Sequence, residues 1–383
     1  MSFDFNDLSK ELTAILTKED KRQNGIYFSP PTDIQNMLSK LNITPSRILE
    51  PSCGSLEIFN SCKINYPNAT IYGYEKNHTI YEKIKETDNI YNEDFLTSKH
   101  DICYDLIIGN PPFFVIKNDD VAPEFKKYIT GRPNICLLFI LKSLTLLSKN
   151  GILSFILPNS FLNSIYYDKV RQRIYESYEI KEIFNLDGKY LETQQETFCM
   201  IVSNNNNRKD NDSFCIKYND FHIFSPNIKK LKELLEQSKT LNELECEVKI
   251  GNIVWNQHKE LLTNDDTKTR LIYSSDIKGN TITISKTKNK EKKPYIDKEC
   301  DYSNSLIINR GYGVGKYNMD CCLVEGKYLF ENHLIVITHS DIELLKNIQK
   351  SLLNEKTKEF IKIICGNNAI NTTELKHIIP IYI

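Results

Sequence analysis

With 383 residues, 40% of them hydrophobic and 26% charged, the chain is too long for one ordinary core and long enough to bury two. It lacks the apolar poverty of a disordered protein, and no run approaches the roughly 18 apolar residues that a membrane span needs. The net charge of −1 does not announce a polyanion partner, yet residues 1–215 hold 24 Lys+Arg against 28 Asp+Glu and residues 216–383 hold 25 against 22, leaving −4 and +3.

Met1 to Lys21 contains acidic residues and lacks a basic stretch followed by an apolar one, so it does not read as a signal peptide. The 11 cysteines are scattered, and none forms a Cys-x-x-Cys pair with metal-ligand spacing. Adjacent Cys321 and Cys322 do not readily bridge one another. The expectation is a reducing compartment, cysteines acting as small hydrophobes, and no metal site.

In chain order, Ser46 to Glu50, Thr70 to Tyr74, Tyr104 to Gly109 and Gly151 to Leu157 read as buried strands bounded by turn residues. Asn77 to Thr87 and Cys136 to Leu147 carry helical spacing between them. This alternation predicts an α/β fold, a doubly wound sheet with helices on both faces. The polar run Ser203 to Asp212 interrupts the pattern and places a domain boundary there or just beyond, dividing the chain into 1–215 and 216–383. A helix over Asn227 to Lys239 follows, then short β-like stretches at Thr281 to Ser285, Ser305 to Asn309 and His333 to Thr338. The second domain therefore reads as mixed α+β.

Ile48-Leu-Glu-Pro-Ser-Cys-Gly-Ser-Leu-Glu57 runs from a strand through a glycine turn into a helix. Such a turn exposes backbone N–H groups and allows close approach of a nucleoside cofactor, although a tight turn serves structure alone equally well. Glu75 ends the next strand, 21 positions after Gly54, where a carboxylate would accept from ribose hydroxyls. Asp94 and Phe95 follow another short strand. The Asp could accept from an adenine amine with the Phe covering the ring, or simply cap a turn.

Asp105-Leu-Ile-Ile-Gly-Asn-Pro-Pro-Phe-Phe114 is the most informative segment. Two successive prolines fix the backbone after a buried strand. The Asn110 side-chain oxygen and the Pro111 carbonyl then converge as two acceptors, with Pro112 rigidifying the turn and Phe113 as a stacking face. An exocyclic NH₂ group offers the two donors this arrangement takes.

Through Asn110-Pro-Pro-Phe113 the chain resembles the amino-methyltransferases of DNA. Gly25-Ile-Tyr-Phe-Ser-Pro-Pro-Thr32 resembles that family's N-terminal segment. With cofactor motifs before Asn-Pro-Pro-Phe and a variable domain last, the order is that of the gamma class, type II restriction–modification adenine methyltransferases. The resemblance covers residues 24–202. It implies S-adenosylmethionine as cofactor, with Tyr27 and Ser29 at its methionine part, Glu50, Cys53 and Gly54 beside it, Glu75 on ribose, and Asp94 and Phe95 on adenine. It also implies direct methyl transfer to the N6 amine of an adenine extruded from duplex DNA and stacked on Phe113 and Tyr190. Further implied are a monomer on DNA, a possible separate restriction endonuclease, no membrane, and the cytoplasm of a prokaryote or of a cell infected by a DNA virus. Where the family has a second glycine this chain has Leu56, whose side chain is expected to narrow the approach to the cofactor.

In the second domain, Trp255, Asn256 and Lys259, and Arg310 and Tyr312 of a basic glycine loop, are candidates for DNA contact, with a buried Trp and an ordinary hairpin turn as the bland alternatives. Lys286 to Lys293 reads as a solvated loop within reach of phosphate. Two other readings stay open: an RNA guanine or protein glutamine methyltransferase, whose families also use Asn-Pro-Pro plus an aromatic, and a catalytically silent DNA-binding specificity subunit.

Overall fold

A computed structural model describes residues 4–193, 196–205, 211–284, 289–311, 319–364 and 369–383. Its contacts divide the chain into two units, Met1–Ile228 and Lys229–Ile383.

The first unit is built on seven strands: β1 (Arg47–Glu50), β2 (Thr70–Tyr74), β3 (Ile90–Tyr91), β4 (Tyr104–Gly109), β5 (Leu147–Pro158), β6 (Glu179–Leu186) and β7 (Thr197–Ser203). They lie in the order β3-β2-β1-β4-β5-β7-β6, all parallel except β7, which runs antiparallel to both neighbours. Consecutive residues of the central strands point to opposite faces, and both faces are buried. Ile48, Leu106, Ile108 and Ile156 join the core beneath α1 (Asp7–Ile15), α3 (Pro31–Ser39) and α4 (Glu57–Asn65). Leu49, Ile107, Phe155 and Leu157 join the other, beneath α6 (Ile135–Thr145) and α7 (Asp168–Ser177). Burial on both sides explains why these strands read as continuous apolar runs and not as alternating ones. The remaining helices of this unit are α2 (Lys18–Asn24) and α5 (His78–Ile84).

Strand order reverses between β1 and β4: β2 and β3 lie on one side, β5 to β7 on the other. In doubly wound sheets that switch point opens the crevice where ligands bind. The loops that leave β1 and β4 are Pro51 to Leu56 and Asn110 to Phe113, the two segments richest in sequence signal.

The division at 228/229 lies beyond the polar run and beyond 215/216. A hairpin, Cys215–Tyr218 with Phe221–Phe224, follows that run and belongs to the first unit: Cys215 and Phe224 are in its core. Arg171, fully buried on α7, donates to the carbonyl of His222 in this hairpin as well as to those of Phe161 (2.8 Å) and Ser164 (2.9 Å). Cutting at 215 would leave a buried guanidinium short of an acceptor, a costly loss.

The second unit is mixed, as its sequence suggests. Glu247–Ile250, Leu334–Thr338, Ser303–Asn309 and Cys321–Gly326 form one antiparallel sheet in that order. A smaller sheet joins Leu262–Thr263, Tyr295–Ile296, Thr269–Ile272 and Tyr328–Phe330. The helix expected over 227–239 is shorter, α8 (Ile228–Leu235), and three helices close the chain: α9 (Ile342–Leu352), α10 (Glu355–Ile364) and α11 (Thr372–His377). The strand expected at 281–285 reduces to Thr281–Ile282, with residue 285 outside the described residues.

Candidate active site

The loop after β1 is organised by backbone hydrogen bonds to β2. The Cys53 amide donates to the Tyr74 carbonyl (3.0 Å), and the Gly54 amide donates to Glu75 Oε2 (3.0 Å). Glu75 Oε1 accepts from the Asn77 amide (2.7 Å), so one carboxylate ties the β1 and β2 loops together. The group is only 8% exposed, and burial pushes its carboxyl up to about 7 despite these donors. Glu50, the last residue of β1, is 3% exposed with Oε2 unpartnered. Burial first, and the neighbouring Glu75 charge second, drive its carboxyl well above the usual range.

Leu56 adopts φ +63°, a left-handed conformation that glycine takes freely and leucine at a cost of roughly 1–2 kcal/mol. Its side chain turns into the core with Ile58 and Phe59, 6% exposed, and does not line the cleft. The expected narrowing of the cleft at this position therefore does not occur.

The loop after β4 meets the N-terminal segment. Asn110 Nδ2 donates to the Tyr27 carbonyl (3.2 Å), and Ser52 Oγ donates to the Asn110 carbonyl (3.3 Å). Because a backbone carbonyl only accepts, the Asn110 amide must turn its NH₂ toward Tyr27. That leaves Oδ1 buried with no partner. Gly25 makes this approach possible: it ends α2 at φ +63°, and a Cβ there would stand 2.8 Å from the Phe113 amide nitrogen.

These loops enclose a cleft of about 340 Å³, within the range of small-molecule sites, about 300–1,000 Å³. Tyr27, Gly54, Glu75, Asp94, Phe95, Asn110 and Pro112 line it. Asp94 caps its turn, Oδ1 accepting from the Leu96 amide (2.9 Å), and also pairs with Lys76 (2.9 Å). Phe95 is 1% exposed, its ring 5.3 Å from that of Phe139 and its carbonyl accepting from Lys142. Ser29, Glu50, Cys53 and Pro111 are buried outside the cleft lining, and Phe113 is half-buried against the α6–α7 core. Tyr190 also lies outside the lining; burial raises its hydroxyl, and Thr197 and Asp33 are its polar neighbours. Lys76, Asn77, Ile80 and Phe139 line the cleft without having stood out in sequence. Ile80 and Phe139 carry the same signal as core residues, whereas Lys76 and Asn77 could have been found by their adjacency to Glu75.

The candidates of the second unit show no comparable convergence. Trp255 packs with Ile253, Leu262 and Leu271, with Lys292 5.3 Å and Lys259 5.8 Å from its ring centre. Lys259 pairs with Glu291 (2.8 Å), Asn256 is exposed, and Arg310 is half-buried with its carbonyl accepting from Ile370 (2.9 Å). Tyr312 lies outside the described residues. Within the Lys-rich stretch, Lys292 is not solvated: it pairs with fully buried Glu331 (2.8 Å).

The first unit thus has a doubly wound α/β sheet, with an orphaned amide acceptor beside the cleft at its switch point. The chain matches the Eco57I restriction-modification methylase family over residues 26–191. It is 28% identical to the type II methyltransferase M.CvrRI of Paramecium bursaria Chlorella virus XZ-6E, covering 99% of both chains. It is 29% identical to the modification methylase CviBIII of Paramecium bursaria Chlorella virus NC1A, covering 98% of both. Among solved structures, the type IIL restriction-modification enzyme MmeI in complex with DNA shares the fold over 96% of this chain and 70% of its own, with a TM-score of 0.55 and 11% identity.

Proposed function

We propose that the chain transfers a methyl group to the exocyclic N6 amine of adenine in duplex DNA, the base being extruded from the helix into the cleft. The observation that carries this reading is Asn110: its NH₂ is committed to Tyr27, and Oδ1 is left buried and unpartnered. A buried acceptor without a donor costs about 1–3 kcal/mol, and an incoming amine relieves that cost where an oxygen nucleophile lacking a second proton does so less well.

The side chains present fit the cofactor. Glu50, buried outside the lining with one carboxyl oxygen unpartnered, suits a cationic amino-acid end, Glu75 has two oxygens for ribose hydroxyls, and Ile80, Phe95 and Phe139 offer an apolar slot for a purine ring. Tyr27, Ser29, Cys53 and Gly54 complete the methionine side, and Asp94 takes the adenine amine. S-adenosylmethionine supplies an already activated sulfonium methyl, so no covalent enzyme intermediate is required.

The protein contributes positioning. Asn110 Oδ1 and the Pro111 carbonyl accept both amine protons, drawing the nitrogen lone pair out of conjugation with the ring, and Phe113 with Tyr190 stacks on the base. Extrusion is the general requirement for chemistry on a paired base. Asn before the double proline favours adenine over cytosine. The second unit, 24 Lys+Arg against 21 Asp+Glu over residues 229–383, is the part that reads the DNA sequence.

Expressing the chain in a host free of DNA methylation, followed by nucleoside analysis of the DNA, tests this directly. N6-methyladenine at a defined sequence is the expected product. Methylcytosine, or methyl groups found only on RNA or protein, would overturn the assignment.

A further inference from the structure

Beside the amine end of the cleft, on the other side of Phe114, the first unit has a second groove of about 800 Å³. Its floor is a short antiparallel ladder directly after Asn-Pro-Pro-Phe: the Ile135 amide donates to the Phe114 carbonyl (2.9 Å), and the Ile116 amide to the Pro133 carbonyl (2.9 Å). Lys117 and Arg132 stand at the outer end of this ladder, and Arg22 on α2 also lines the groove.

All three cations are exposed, and none has an ion-pair partner among the described residues. Some lysines elsewhere in this unit, Lys10, Lys21, Lys76 and Lys83 among them, are paired with carboxylates within 2.9 Å. Asp120 is the acidic side chain of the lining, and its Oδ2 accepts from the Lys117 backbone amide (3.3 Å). Three cations against one carboxylate is a local reversal, because residues 1–228 as a whole hold 25 Lys+Arg against 29 Asp+Glu. Val115, 60% exposed, adds an apolar patch among the cations.

We propose that this groove holds the sugar–phosphate backbone of the DNA strand that carries the target base, an assignment that rests on the DNA reading above. Guanidinium forks and a lysine match phosphate oxygens, and the exposed Val115 matches the apolar face of a deoxyribose between them. Its position supplies the reason for the charge. The ladder fixes Lys117 and Arg132 in register with Asn110, and Gly25 ties α2 to the Phe113 amide. Phosphates seated here locate the strand relative to the acceptor. Such contacts set register and affinity and carry no sequence information.

The test is the full chain with Arg22→Gln, Lys117→Gln and Arg132→Gln combined, titrated with a fluorescein-labelled mixed-sequence DNA duplex at several salt concentrations. Each lost phosphate contact should lower the slope of log affinity against log salt by about 0.9, so the triple variant should lose about 2 to 3 of the wild-type slope. Cognate and non-cognate duplexes should be affected alike, with S-adenosylmethionine affinity retained. An unchanged slope in a variant that still binds cofactor overturns the groove assignment alone. Failure of the wild type to bind duplex DNA would overturn the DNA reading and this inference together.

Discussion

The two ends of the cleft, on the proposed reading a nucleoside end and an amine end, are built on opposite terms. At the nucleoside end the polar groups are already satisfied: Glu75 holds two backbone amides, and Asp94 holds a turn amide and Lys76. At the amine end, Asn110 is braced on its donor side only, and its acceptor has nothing to accept from. The first arrangement fixes a shape before ligand arrives; the second leaves an unmet hydrogen bond that the proposed substrate amine would complete. Groups that hold a ligand in ground and transition state alike gain from being pre-organised, whereas a group that must act on a departing proton is most effective when the reacting amine is its best partner.

Removing the orphaned acceptor should have the largest effect. Asn110→Ala is expected to lower single-turnover methyl transfer on the order of 10²–10³-fold, the scale of losing one aligned hydrogen-bonding group at a reacting centre. Affinity for S-adenosylmethionine should stay near wild type, because the nucleoside end is untouched. Near-normal turnover would erase the distinction between the two ends.

The nucleoside end is sensitive to pH instead. With Glu75 raised to about 7 by burial, its ligand-free form takes a proton below that pH. Ribose hydroxyls need the ionised acceptor, so binding must expel that proton. Affinity should therefore weaken by about tenfold per pH unit on the acid side of 7 and level off above it. Folding has the opposite sign: with the carboxyl raised from 4.5 in the native state, the ligand-free fold loses stability as pH rises from about 4.5 toward 7. Calorimetric titration across neutrality checks the first effect, and Glu75→Gln should abolish the pH slope while weakening binding throughout. A wild-type affinity flat across pH 7 would remove Glu75 from the ribose contact.

Gly25 packs against Pro112, Phe113 and Phe114, so it sharpens the contrast. Gly25→Ala meets a left-handed φ, costing about 1–2 kcal/mol, and drives a Cβ against the Phe113 backbone. A melting-temperature drop with methyl transfer impaired more than cofactor affinity is expected, since Phe113 belongs to the amine end. Equal losses in both would mean that α2 supports the cleft as a whole.

How much of this was legible follows from where the physics is local. The strand spans 70–74 and 104–109 coincide with β2 and β4, because both are apolar runs closed by turn residues. The segments Pro51 to Gly54 and Asn110 to Pro112 were legible because glycine and proline report backbone shape directly. By contrast, the inward turn of Leu56 depends on a φ that no sequence pattern announces, and Ile80 and Phe139 are indistinguishable from core residues until the sheet brings them to the cleft. Trp255 and Lys292 illustrate the same limit in the second unit: their pairing, and the burial of Glu331 beneath Lys292, joins residues far apart in the chain.

Tyr190 should show the smallest effect and is the most discriminating test of how far the amine end extends. Its ring is half-buried, and its hydroxyl is in a dry environment near Thr197 and Asp33, so part of the side chain serves packing whatever else it does. If its face also stacks on the extruded base, Tyr190→Phe should be nearly silent, because the ring is kept and only a buried hydroxyl is lost. Tyr190→Ala should weaken binding to a duplex with a paired target adenine by about 1 kcal/mol, the low end of the roughly 1–3 kcal/mol found for base–aromatic stacking. A mismatch opposite the target should return part of that loss, since an unpaired base costs less to extrude. With 2-aminopurine at the target position, Tyr190→Ala should also fluoresce more brightly than wild type, one quenching partner having been removed. Unchanged emission and mismatch response, with lowered thermal stability as the sole effect, would assign Tyr190 to packing and leave Phe113 as the stacking face.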